Sequence, residues 1–225
     1  MTARVVDIPL RFAHCQVVLG DVPTLVDTGT ARDVPRIVAR LATLGLTPRD
    51  VRRIILTHAD GDHAGGAAEL QELCGAEVVV HRAEAAYLSG ELPAGFGLLK
   101  RAVVALSGRA RPPEVGRWVE GGELIDGLEV VATPGHTPGH ISLVVGRTLI
   151  AGDAFTTGGR CREVPRVMSA DVRRSHAAIH LLAERDVEQA FSGHGDAVLD
   201  VGLGLRALSA RLRRRDASGP PPARR

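Results

Sequence analysis

LTHADGDHAGG, residues 56–66, decides the reading of this chain. It sets His58, Asp60, Asp62 and His63 close together between the apolar run RRIIL and the helix-like run AAELQEL. Side chains of that polarity are costly to bury unless something compensates them. Imidazole nitrogen and carboxylate oxygen are both metal donors. Glycine beside a donor lets the backbone turn sharply and leaves room for an ion.

The same signal recurs after other strand-like runs: VDTG with Asp27, TPGHTPGH with His136 and His140, AGDAF with Asp153, and SGHGD with His194. Loops at strand ends are where a rigid scaffold presents functional groups. Read singly, each of these is an ordinary polar loop residue. Read together, His58, Asp60, Asp62, His63, His136, Asp153 and His194 are enough donors for two adjacent ions and a bridging group.

The rest of the sequence bounds this reading. The 225 residues carry a net charge of +2, which gives no global field for nucleic acid. No apolar run approaches the roughly 20 residues that span a bilayer, so no membrane association is expected. The N-terminus MTARVVDIPLRF lacks a secretory plan, and a cytoplasmic location is expected. Cys15, Cys74 and Cys161 form no C-x-x-C pair and read as small buried hydrophobes. Strand and helix patterns alternate, which indicates an α/β layout. Residues 82–117 break the rhythm and read as two short helices with no strand signal, a lid insertion carrying Tyr87 and Phe96. Strands resume at LEVVAT, and a helix follows with Ser169 as its N-cap. The expected division is one domain over 1–215 and a disordered basic tail over 216–225. His176 and His180 share a helix face and read as structural, while His14 and His81 have no motif behind them.

Five motifs in order, LVDTG (25–29), LTHADGDHAGG (56–66), TPGHTPGH (133–140), AGD (151–153) and GHG (193–195), resemble the metallo-β-lactamase fold superfamily. The resemblance implies a four-layer αββα sandwich of two mixed sheets with helices outside and a metal site along one edge. It implies His58, Asp60 and His136 on a first ion, Asp62, His63 and His194 on a second, and Asp153 bridging. The family's usual motif is His-x-His-x-Asp-His, and Asp60 stands where the second histidine belongs. That change adds a negative charge to the cluster and a harder donor to the first site, which favours iron or manganese relative to an all-imidazole site. Asp27 is placed beside the metals, accepting the ring N–H of a ligand histidine, and His140 likewise supports the ligands.

The function implied is a metal-dependent hydrolase with two divalent ions, zinc first and iron or manganese as alternatives. A metal-bound hydroxide, oriented by Asp62, attacks an ester, thioester, lactone or amide carbonyl of a small substrate. Tyr87, Phe96 and Phe155 are expected to line the cleft. No nucleic-acid partner is expected, and the protein is read as a monomer or homodimer. Two other classes stay open. One is a non-haem iron oxidoreductase on the same fold, although di-iron members usually carry glutamate at the position of Asp60 and an attached flavin domain. The other is a non-catalytic metal-binding or nucleic-acid accessory protein.

Overall fold

The computed structural model describes residues 3–92 and 111–218. Strands β1 (Arg4–Pro9), β2 (His14–Leu19) and β3 (Thr24–Val26) pair antiparallel. They are continued in parallel by β4 (Arg53–Ile55), β5 (Glu77–His81) and β6 (Val115–Val119), so the first sheet runs in chain order. The second sheet holds β7 (Leu124–Ile125), β8 (Leu128–Ala132), β9 (Ile141–Val145), β10 (Thr148–Ile150), β11 (Gln189–Phe191) and β12 (Val198–Leu199), again in chain order. Only β10 and β11 are parallel there.

Successive side chains on a strand point to opposite faces, and the strand sequences are apolar on both. Leu25, Ile54, Val78 and Val80 join Ile37, Leu41 and Leu70 in a layer beneath the helices Val34–Thr43 and Ala67–Cys74. Their strand neighbours Val26, Ile55 and Val79 meet Val130, Ile141, Leu143 and Ile150 of the second sheet in a middle layer. On the far side, Leu149 and Ala190 pack with Ile179, Leu182, Leu205 and Leu212. These last four come from two further helices, Val172–Ala183 and Val201–Ala217. Helix, sheet, sheet and helix are thus separated by three apolar layers, the four-layer αββα sandwich.

Local differences from the sequence reading have physical causes. Strand β6 begins inside the segment read as a helical lid. It is an edge strand in which Val119 alone is buried, so it needs little apolar sequence to hold its place. The described part of that segment otherwise contains a 3₁₀ turn, Arg82–Glu84, and a single helical turn, Ala85–Leu88. Phe96 and the rest of the lid's centre lie outside the described residues. Asp171, rather than Ser169, caps the helix Val172–Ala183, its carboxylate accepting from the N–H groups of Arg173 and Arg174. The final helix continues to Ala217, past the expected start of the tail, and Asp216 Oδ2 lies 2.8 Å from His176 Nδ1. That histidine also meets Glu163 at 2.7 Å through Nε2, so it is fixed at both ring nitrogens.

The final helix offers a direct test of the outer apolar layer. Leu205 is fully buried, whereas Leu203 on the opposite face is 69% exposed. Leu205→Ala should cost about 2–5 kcal/mol of unfolding free energy, and Leu203→Ala no more than about 0.5 kcal/mol. Urea titration of both variants against wild type measures the difference.

Candidate metal centre

The cluster forms where loops leave the ends of buried strands on one edge of the sandwich. β4 ends at Ile55, and the chain turns at once through Thr57, His58 and Asp60 into the short helix Gly61–Ala64, which carries Asp62 and His63. From the second sheet, the β8–β9 loop brings His136, the chain after β10 brings Asp153, and the chain after β11 brings His194. All seven sequence-derived candidates therefore converge.

Their atoms fall into overlapping groups: His58, Asp60 and His136; His58, His63 and Asp153; and Asp62, His63 and His194. Asp60 Oδ2 lies 3.1 Å from His136 Nε2 and 3.4 Å from His58 Nε2. Asp62 Oδ2 lies 3.7 Å from His194 Nε2 and 3.9 Å from His63 Nε2. Asp153 touches both sides, with Oδ2 at 3.5 Å from His136 and 3.2 Å from His194, and Oδ1 at 3.5 Å from His63. The first triad is fully buried, while Asp62 and His194 are partly open to solvent.

A network behind the cluster aims these rings. His63 Nδ1 lies 2.8 Å from Asp27 Oδ2, and the Thr57 hydroxyl donates to the same oxygen at 2.7 Å. Thr57 Oγ1 is itself 2.9 Å from His58 Nδ1. His194 Nδ1 is 2.9 Å from the carbonyl oxygen of Phe12, in the β1–β2 hairpin. With Nδ1 donating in each ring, Nε2 of His58, His63 and His194 is the nitrogen that faces the carboxylates. Asp27 holds its position at a left-handed φ of 57°, unusual for a residue other than glycine.

His140 is not among the converging donors. Its Nε2 accepts the backbone N–H of Asp153 at 2.8 Å, so its Nδ1 carries the proton and donates to Thr133 Oγ1, also at 2.8 Å. Thr133 in turn meets Ser142, whose hydroxyl donates to the Ala151 carbonyl. This chain of bonds works only with a neutral ring. Burial, with His58 and His136 nearby, holds the His140 pKa well below its ordinary value.

Two observations fit the cluster to a metal ion. His58 Nε2, His63 Nε2 and Asp153 Oδ1 are buried with no hydrogen-bond partner among the described residues, a costly arrangement for polar atoms that no ligand satisfies. A methyl group at Gly193 would lie 2.2 Å from Asp153 Oδ1 and 2.5 Å from His63 Cε1, so only glycine permits the close approach of these donors.

One candidate for the substrate cleft is placed differently from the reading. Phe155 is fully buried beneath the two C-terminal helices, packed with Ile179 and Leu205, and does not face the cleft. The strand-end position that suggested a cleft residue instead turns the ring into the outer apolar layer. Tyr87 is partly buried on the turn after β5. Glu84, absent from the sequence-derived candidates, is fully buried and accepts from backbone N–H groups of two ligand loops, at Ala59 and Gly139. Its signal was a carboxylate just beyond a buried strand, as in the other loops, but without glycine or histidine motif around it.

Fold and site together define an αββα metal-binding protein. The sequence profile of the metallo-beta-lactamase superfamily matches residues 11–194, and the chain belongs to that superfamily. It is 29% identical over 198 residues to "Probable metallo-hydrolase YybB" of Bacillus subtilis, covering 86% of each chain. Among solved structures, the metallo-beta-lactamase family protein TTHA1429 of Thermus thermophilus superposes with a TM-score of 0.75 at 24% identity, over 96% of this chain and 81% of that one. TTHA1623, solved in a di-iron-bound form, superposes with a TM-score of 0.71 at 26% identity, over 92% and 98%. Superfamily membership and the His/Asp clusters support divalent-metal binding and a metal-dependent hydrolase in general.

Charge gives the site a pH signature. Burial alone would lower the pKa of His63, but Asp153, Asp27 and Asp62 together hold it up to about 10. At neutral pH the metal-free ring is therefore protonated, and an ion must displace that proton. Apparent affinity should rise with pH up to about 10, where the metal-free ring loses its proton unaided, and then level off. Calorimetry in buffers of different ionisation enthalpy should show about one proton released from His63 at pH 7. An affinity independent of pH across that window would contradict this charge balance.

Proposed function

We propose that this protein is a hydrolase that holds two divalent ions, one on His58, Asp60 and His136 and one on Asp62, His63 and His194, with Asp153 shared between them. The observation that carries this reading is the position of Asp153, whose carboxylate approaches histidines of both triads. When bound, such ions lower the pKa of water to about 7 in favourable sites and polarise a carbonyl oxygen.

The chain's own residues supply orientation and charge. Asp27 and Thr57 fix the tautomers of His63 and His58, and His140 fixes the backbone at Asp153. Asp62, on the more open side, is the carboxylate placed to accept a proton from a water entering the cluster and to orient it. Tyr87 stands on the segment leading into the lid and is the described aromatic side chain offered for substrate contact. The substrate class is a small molecule with an ester, thioester, lactone or amide bond, and zinc is the first choice of metal. A di-iron form of the related TTHA1623 supports a second reading, an iron oxidoreductase.

Activity on a panel of ester, thioester, lactone and β-lactam substrates should be abolished by chelation and restored by zinc. Restoration by iron alone, together with oxygen consumption, would favour the second reading. Tyr87→Ala should change relative rates within the panel and leave metal content at the wild-type level.

Asp60→Ala should lower the affinity of the first triad about 10- to 100-fold or more while the second still fills. Asp60→His should keep both ions and raise the preference for zinc over manganese. Titration of metal-free protein with each metal tests both. Unchanged binding of two ions by Asp60→Ala would remove Asp60 from the ligand set.

A further inference from the structure

We infer that Glu84 is a positioning residue that sets the geometry of the His58–Asp60–His136 triad by clamping the two loops that carry it. The inference rests on the metal reading above and adds a residue to it. Strand β5 ends at His81, whose ring nitrogen Nδ1 accepts the backbone N–H of Ala83 at 3.0 Å and so starts the 3₁₀ turn Arg82–Glu84. That turn delivers the Glu84 side chain to a fully buried position between two loops. Oε2 accepts from the N–H of Ala59 at 2.9 Å, and Oε1 accepts from the N–H of Gly139 at 2.7 Å.

The choice of partners is informative. Ala59 lies between His58 and Asp60, and Gly139 lies between His136 and His140. One loop leaves the first sheet and the other belongs to the second, so their separation is not set by backbone pairing within a sheet. The Ile141 N–H donates to the Thr57 carbonyl at 2.9 Å behind the triad, and the Glu84 carboxylate, spanning both N–H groups, adds the tie nearest the ligands. The second triad is supported elsewhere, by Asp27 and by the Phe12 carbonyl. Gly139 belongs to the clamp too, since a methyl group there would lie 2.8 Å from His81 Nδ1 and 2.9 Å from Glu84 Cγ.

A buttress that only stabilises the fold would act on both triads alike. A clamp held at Ala59 and Gly139, beside His58, Asp60 and His136, acts chiefly on one. Glu84→Gln keeps the shape and turns one acceptor into an NH₂ group facing a backbone N–H. Metal-free protein labelled with ¹⁵N would be titrated with zinc alone, following the ring nitrogens of His58 and His136 separately from those of His63 and His194. In Glu84→Gln the midpoint for the first pair should move to at least ~10-fold more zinc, with the second pair at its wild-type midpoint. Four rings moving together, or none moving, would overturn the inference. Should Glu84→Gln fail to fold, Gly139→Ala displaces the same clamp from its other end and should give the same selective loss. Wild type is the control for the underlying reading: if zinc leaves its His58 and His136 rings unshifted, the metal site itself is refuted, whereas a normal wild type with an unaltered variant refutes only the role of Glu84.

Discussion

A carboxylate taken out of water must be met by positive charge or by several donors, and Asp153 is where that requirement is most severe in this protein. It is almost wholly buried at the seam between two sheets. Burial pushes its pKa up, yet His63, His194 and His136 together hold it well below the ordinary carboxylate value. Those three histidines arrive on three different loops, so the demands of one side chain tie together the strand ends on both sides of the sandwich. The ring tautomers follow in turn. Asp27 and the Phe12 carbonyl each occupy an Nδ1, which leaves Nε2 to face the buried charge.

The fold makes this concentration of charge tolerable. The central strands are largely apolar on both faces because each lies between two packed layers, and the seven converging donors sit in the loops beyond their ends. Burial in those layers contributes about 1.5–3 kcal/mol for each large apolar side chain, which offsets the cost of keeping unpaired nitrogens and oxygens at the edge. The site and the core are thus complementary: the loops are free to be polar because the strands are not.

This division explains what could be read from sequence. The convergent residues announce themselves because histidine, aspartate and glycine at strand ends have few other reasons to cluster, and the strict order of five motifs points to one fold. Asp27 carried the same signal. Glu84 shared only the carboxylate beyond a strand, and its contacts are to two backbone N–H groups distant in sequence, which leave no trace in side-chain pattern. The same limit hid β6, an edge strand whose pairing with β5 needs hardly any apolar sequence. Phe155 misled for a related reason. Its place just after Asp153 says nothing about which way the chain turns, and the turn carries the ring into the outer layer. The helix Val172–Ala183 had two candidate caps two residues apart, Ser169 and Asp171, and the one adjoining its first turn is the aspartate.

The topology has a consequence in time. Every strand of the first sheet precedes every strand of the second, and the chain passes from one to the other once, between Val119 and Leu124. Each triad takes two members from the earlier half, His58 and Asp60 or Asp62 and His63, and one from the later half, His136 or His194. A nascent chain that has made only the first sheet therefore has an incomplete donor set at either of the two proposed positions. Tight capture of an ion must wait until the second sheet has been synthesised and docked, which makes metal uptake a late event of assembly and a report that both halves have found each other.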